Sequence, residues 1–252
     1  MSMRAPRETE VPFRHARGEG AIVFDPDALS QTPAPEWFDP AHWGDAATRV
    51  GSGGRGSAWF VDAPAGPMLL RHYLRGGLMA KLSRDGFVWR GADAARSIAE
   101  LRLLQNLHMR GLPVPRALAA GYWREGRSYR AAILLGRIEG VRSFGDRVLE
   151  DAASAPWAAC GALIARFHRA GLDHADLNAH NLLFDDAGSG WVIDLDKSRL
   201  RARGGDWRDA NLARLRRSLD KIGSAKMNRA INEGFAELQR AYDAVMQAGD
   251  KA

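Results

Sequence analysis

The chain has 252 residues, with 36 Lys+Arg against 30 Asp+Glu, a formal charge of +6 and a pI of about 9.9. At 46% hydrophobic and 26% charged, the composition is that of an ordinary globular chain and excludes disordered, collagenous and disulfide-stapled classes. The single cysteine, Cys160, cannot form an internal bridge, so a cytoplasmic setting is expected.

The longest apolar run, Ala155 to Ala165, is far shorter than a membrane-crossing helix, and the first twenty residues lack the apolar stretch of a secretory signal. The basic residues are 31 Arg and only 5 Lys. Arginine suits forked contacts with phosphates and carboxylates, although a GC-rich genome produces the same bias without function. Three partner classes follow from the charge: nucleic acid, an anionic membrane surface, or a phosphorylated substrate.

In chain order, the proline-rich first fifty residues predict an irregular leader with one strand near Ala21 to Phe24. The glycine cluster 51–56 between Thr48 and Val61, followed by a turn at Pro64 to Pro67 and the run Met68 to Tyr73, predicts three strands with a Gly-rich turn. Apolar spacing predicts a helix from Asp93 to Met109, stopped by Gly111, Pro113 and Pro115. Two strands are expected at Ala117 to Trp123 and Tyr129 to Leu135.

Beyond Gly140 the pattern turns helical. A helix is expected with Ser154 as cap and Trp157, Cys160, Ile164 and Phe167 on its inner face, which leaves Cys160 inert. A polar loop, Asp173 to Asn181, lies between short apolar runs. A helix capped by Asp209 and a last amphipathic helix over 228–247 complete the chain. The expected organisation is an N-terminal unit over 1–137 and a helical unit over 138–252.

The loop reads His174-Ala175-Asp176-Leu177-Asn178-Ala179-His180-Asn181, an H-x-D-L-x-x-x-N pattern, and Asp194 follows the apolar stretch Trp191-Val192-Ile193. Phosphoryl transfer needs a carboxylate to orient the attacking hydroxyl and oxygen ligands to hold Mg²⁺ on nucleotide phosphates. The two halves in this order give a protein-kinase-like signature. It points to an α+β, two-lobed protein-kinase-like fold using ATP and Mg²⁺. Asp176 is the expected base and Asn181 and Asp194 the expected metal ligands. His174 is expected to hold the loop together, Asn178 to lie near the transferred phosphate, and His180 to be a loop contact. Asp196 is either a second ligand or a solvated strand-end residue. Gly51, Gly53, Gly54 and Gly56 are expected to cover phosphates through backbone N–H groups. Arg71 stands where such kinases usually carry lysine, with Lys81 as the alternative, and Glu100 on the following helix is its expected partner; the other reading of Glu100 is a surface pair with Arg96. Leu135 to Glu139 is expected to contact adenine.

The segments Leu70-Arg71-His72-Tyr73-Leu74-Arg75-Gly76-Gly77-Leu78, Gly111-Leu112-Pro113-Val114-Pro115 and Asn211-Leu212-Ala213-Arg214-Leu215-Arg216-Arg217-Ser218-Leu219, with the loop and Ile193-Asp194-Leu195-Asp196, resemble the bacterial lipopolysaccharide kinase family, in particular its 3-deoxy-D-manno-octulosonic acid (Kdo) kinases. The resemblance spans about residues 20–225. It implies ATP-dependent phosphorylation of the 4-hydroxyl of a Kdo residue on a Kdo-lipid A precursor, by a peripheral protein at the cytoplasmic face of the inner membrane, and makes Arg71 a family feature. The alternatives are a kinase of another sugar, such as a core heptose or an amino-sugar, or a catalytically inactive kinase-like binding module. No nucleic-acid reader motif is present, so nucleic acid drops out. The segment from Lys197 to Lys221, with Arg199, Arg201, Arg203 and Arg208 and with Arg214, Arg216 and Arg217 as its chief candidates, is expected to grip the anionic acceptor or lipid headgroups; the other reading is a solvated helix face beside an Arg-rich loop. The oligomeric state is left open.

Overall fold

The computed structural model describes residues 7–51, 57–74, 86–202 and 205–248. Gly53, Gly54, Gly56, Lys81 and Arg203 therefore lie outside the described residues, while Gly51 lies within them. Two compact units are present, residues 1–110 with 115–137, and residues 111–114 with 138–252.

The first unit is an antiparallel sheet with one long helix. Its strands are β1 (Thr9–His15), β2 (Gly18–Phe24), β3 (Ala47–Arg49), β4 (Ala58–Ala63), β5 (Gly66–His72), β6 (Phe87–Val88), β7 (Ala117–Glu125) and β8 (Ser128–Gly136), in the order β1-β2-β7-β8-β5-β4-β3 with β6 also on β8. Helix α1 (Arg96–Met109) lies against β7 and β8, and its Ser97 hydroxyl donates to the Gly121 carbonyl at 2.9 Å. The other core, around Ile22, Phe24, Val61, Leu70 and Leu134, is closed by Phe38 with the partly buried Trp37, Trp43 and Trp123.

That closure corrects the reading of the leader as irregular with one strand. The leader forms the β1-β2 hairpin and two 3-10 helices, Pro35–Phe38 and Pro40–Ala46, each with proline in the first helical turn, where a missing N–H costs nothing. Pro12 is tolerated in β1 because that strand is at the sheet edge. The Trp43 indole donates to the Trp37 carbonyl at 2.9 Å, and the Phe38 and Trp123 rings meet edge to face at 5.3 Å. Burying these aromatics fixes a segment whose local sequence is poor in regular structure.

The second unit is mainly helical. In chain order it contains β9 (Arg142–Ser143), α2 (Phe144–Glu150), α3 (Trp157–Arg169), β10 (Leu172–Asp173), β11 (Leu182–Phe184), β12 (Gly190–Val192), β13 (Arg199–Leu200), α4 (Trp207–Ile222) and α5 (Asn228–Ala248). The helices α3 and α5 form its centre, and Trp157 meets Phe144 edge to face at 4.9 Å. The expected caps shift. Ser154 donates to Asp151 at 2.8 Å in the preceding turn, and α3 begins after Pro156 without a side-chain cap. Asp209 lies inside the first turn of α4, which starts after Asp206. The short helix α2, capped by Ser143 through the Asp146 N–H at 3.0 Å, has too few residues to show a helical period. The whole is the α+β fold expected from the sequence, an antiparallel sheet with a helix followed by a mainly helical half.

Candidate active site

In the second unit the polar loop runs from β10 through a 3-10 turn, Ala179–Asn181, into β11, which pairs with β12. Part of its backbone is held by its own side chains. His174 is 2% exposed. Its Nδ1 accepts the Asp176 N–H at 3.1 Å, and its Nε2 lies 3.0 Å from the Ile193 carbonyl. A backbone N–H can only donate and a carbonyl can only accept, so these contacts select the neutral imidazole with its proton on Nε2. Burial lowers the His174 pKa, and the Ile193 carbonyl, Asp194 and Asp176 oppose that only in part.

Asn178 caps the turn, its Oδ1 accepting the His180 and Asn181 N–H groups at 2.9 and 3.2 Å. Its Nδ2 donates to the Asp176 carbonyl and to the Asp176 carboxylate, both at 3.2 Å. Asn181, 9% exposed, donates from Nδ2 to the Asp176 carbonyl at 2.9 Å, and its own carbonyl accepts the Ile193 N–H at 3.0 Å. His174 and Asn181 thus tie the residue before Asp194 to the loop from two sides. Asp194 and Lys197 are the non-glycine residues with positive φ among those described, at +58° and +63°. Aspartate accepts this left-handed backbone more readily than most residues, and the ties on Ile193 hold it there. His180 is a loop contact, its Nδ1 3.0 Å from the Ser143 hydroxyl.

In the first unit Arg71 lies on β5 and Glu100 on α1. The Arg71 Nη2 is 2.5 Å from Glu100 Oε2, and the Tyr73 hydroxyl donates to the same oxygen at 2.6 Å. Glu100 is only 3% exposed, which rules out the surface pair. Burial, then the Glu100 charge, holds the Tyr73 phenol well above its ordinary pKa, so it remains a donor. The Arg71 guanidinium also lies 5.0 Å from the Tyr73 ring centre. The Val50 N–H donates to the Ala58 carbonyl at 3.0 Å, and Gly51 is exposed.

The three α4 arginines separate. Arg214 donates to the His174 carbonyl at 3.3 Å, at the root of the loop. Arg216 is occupied by Asp220 at 2.9 Å and Asn232 at 2.5 Å, with its guanidinium 5.3 Å from the Phe235 ring centre. Arg217 is exposed. Among the described residues no group of three or more His, Cys, Asp and Glu could hold a metal. The donors at the loop are an amide and carboxylates, all oxygen, the set that suits a hard cation sharing its coordination with phosphate.

The model of the lipopolysaccharide kinase (Kdo/WaaP) family matches residues 40–242. The chain belongs to this family. Among the lipopolysaccharide kinase family relatives, a 3-deoxy-D-manno-octulosonic acid kinase of Stenotrophomonas maltophilia (strain R551-3) is 56% identical over 242 residues, covering 96% of this chain and 97% of the relative. One of the same description from Xanthomonas euvesicatoria pv. vesicatoria (strain 85-10) is 54% identical over 236 residues, covering 94% of each. A solved structure of WaaP in complex with acyl carrier protein aligns at a TM-score of 0.48 and 17% identity, over 85% of this chain and 90% of that one.

For this lipopolysaccharide kinase family member, the supports of the loop went unnoticed in the sequence reading. Asn211 on α4, 1% exposed, accepts the His174 N–H at 2.9 Å and donates to Asp173 at 3.0 Å. Ser198 and Ser218 accept the N–H groups of Ala175 and Ala179, both at 3.1 Å. In the first unit Tyr73, which shares Glu100 with Arg71, went unnoticed in the same way. Asn211 and Tyr73 stand in the segments that carry the family resemblance, and that was the available signal.

Proposed function

We propose that the protein phosphorylates the 4-hydroxyl of a Kdo residue on a Kdo-lipid A precursor, with ATP as donor. The observation that carries this reading is 56% identity across 96% of the chain to a 3-deoxy-D-manno-octulosonic acid kinase, with the loop residues that phosphoryl transfer needs present and held. Asp176 is exposed, while Leu177 beside it and His174 two residues before it are each 2% exposed, so its carboxylate stands out from a buried base. It accepts the proton of the attacking hydroxyl, and Asn178, bonded to that carboxylate, orients it. Asn181 and Asp194 hold Mg²⁺; Asn181 spends its N–H on the Asp176 carbonyl, which leaves the amide oxygen as its donor to a cation. Mg²⁺, when bound, neutralises charge on the transferring phosphates. Arg71, fixed by Glu100 and Tyr73, positions phosphates, and the Gly51 turn covers them.

The acceptor carries lipid, so we place the protein at the cytoplasmic face of the inner membrane as a peripheral protein. The +6 charge supports attraction to an anionic surface, and no helix among the described residues is long and apolar enough to cross a membrane. The test is incubation with Mg-ATP and Kdo-lipid A precursor, with mass spectrometry to locate added phosphate. One phosphate on the Kdo 4-hydroxyl, absent with Asp176→Ala, is the expected result. Phosphate on another sugar, or full activity in Asp176→Ala, overturns it.

A further inference from the structure

The second unit contains a cavity of about 700 Å³ beside the loop, with Ala175, next to Asp176, in its wall. Four cations line it, Lys197, Arg199, Arg201 and Arg214, against the two carboxylates of Asp173 and Asp206. The surplus is positive and it is preorganised. Asp173 holds Arg201 at 2.6 Å and lies 3.5 Å from Arg199, and β10 pairs Asp173 with Arg199 across the β10-β13 ladder. One carboxylate therefore orients two guanidinium groups without neutralising both, which removes part of the entropic cost of closing them on an anion. Arg214 anchors one nitrogen on the His174 carbonyl and keeps further donors of its fork for the cavity. Trp207 forms an aromatic wall, and Asn211 ties it to the loop, donating to the Trp207 carbonyl at 2.9 Å and accepting from His174.

From this juxtaposition of a cationic cavity and the base-bearing loop, we propose that the cavity binds the carboxylate of a sugar-acid acceptor, making Lys197, Arg199, Arg201 and Arg214 its specificity-determining residues. The inference rests on the proposed function for the identity of the acceptor. It narrows the sequence expectation, which took in the whole segment from Lys197 to Lys221: of the α4 arginines only Arg214 takes part, with Lys197, Arg199 and Arg201 from the same segment. Forked donors around a planar carboxylate give both affinity and orientation, which sets which hydroxyl meets Asp176.

The test uses binding and turnover as separate readouts. Binding of the water-soluble sugar acid and of its carboxyl-reduced alcohol is titrated by ligand-observed NMR on the full chain, wild type and the variants Lys197→Gln and Arg214→Gln, with Arg229→Gln, a remote exposed charge on α5, as control. The sugar acid should bind wild type and Arg229→Gln alike, and each cavity variant should weaken it roughly tenfold, the loss of one charge-assisted hydrogen bond. The alcohol should bind weakly and equally to all four proteins. Phosphorylation of the Kdo-lipid acceptor should show the same tenfold rise in acceptor KM with the ATP KM unchanged. Sugar-acid binding that is absent in wild type, insensitive to both variants, or matched by the alcohol overturns the proposal. A rise in KM that disappears only on an acceptor stripped of its lipid phosphates would assign the cavity to phosphate and overturn the carboxylate. If binding follows the expected pattern but no acceptor is phosphorylated, the cavity stands and the proposed reaction falls.

Discussion

Asp176 owes its exposure to what is buried around it, and its direction to Asn178. That asparagine does two separable jobs. Its oxygen caps the turn over Ala179–Asn181, and its nitrogen donates to the Asp176 carboxylate. Asn178→Asp keeps the capping oxygens, so the turn should persist, but it replaces the donor with a second negative charge beside Asp176. The expected outcome is a fall in kcat of tenfold or more with the melting temperature and the ATP KM near those of the wild type. A kcat within twofold of wild type would show that the Asn178–Asp176 contact has no part in turnover. The Arg71–Glu100–Tyr73 cluster shows the same economy at the other end of the chain. A nearly buried carboxylate is tolerable because a cation and a phenol both donate to it.

At the scale of elements, the pairing of α3 with α5 depends on two glycines. A Cβ at Gly161 would lie 2.1 Å from the Leu238 carbonyl oxygen, and one at Gly234 would lie 2.1 Å from the Trp157 ring. Alanine is the better helix former by about 1 kcal/mol, yet at Gly161 the obstacle is backbone that cannot rotate aside. Gly161→Ala should therefore lower stability by about 2 kcal/mol in urea denaturation of the second unit; an unchanged or raised midpoint would mean that the helices part without cost. The sequence made α3 legible through Trp157, Cys160, Ile164 and Phe167, but it showed no reason for Gly161, because the atom that excludes a side chain is a carbonyl on α5. The same physics divides the rest. Strands β4, β5, β7 and β8 were readable from local alternation and turns, and the loop from contiguous residues whose hydrogen bonds are mostly to near neighbours. The leader was misread because aromatic burial against a distant sheet, not local pattern, orders it. Asn211 and Ser218 escaped notice as supports of the loop because each reaches it from α4, and their role is set by tertiary packing rather than spacing.

For the molecule as a whole, the histidines rather than the acids should set the response to mild acid. His168 is 2% exposed, its Nδ1 2.8 Å from the Tyr242 hydroxyl, and burial, helped by the Arg208 charge, pushes its pKa down to about 3. His174 moves the same way for the same main reason. In the unfolded chain an imidazole titrates near about 6.5. As pH falls below that value the unfolded state takes up protons that the folded second unit refuses, so stability drops, and it goes on dropping until the lowered folded pKa is reached. Asp173 acts in a different window. Burial favours its neutral form, but Arg201, Asn211 and Arg199 together outweigh that and hold its carboxyl below the usual range. Its contribution is whole above the unfolded value of about 3.9 and is lost only as pH falls through the depressed folded value. Loss between pH 7 and 5 thus belongs to the imidazoles, at a slope of at most about 1.4 kcal/mol per pH unit for each. The melting temperature of the second unit should fall over that interval, and His168→Gln should flatten the fall. Repulsion among the surplus positive charges would produce a similar trend, but salt screens repulsion between exposed charges and leaves a burial penalty in place. A slope that survives high salt in the wild type and shrinks in His168→Gln identifies burial as the cause, whereas one that salt abolishes, or that His168→Gln leaves untouched, assigns it to charge repulsion.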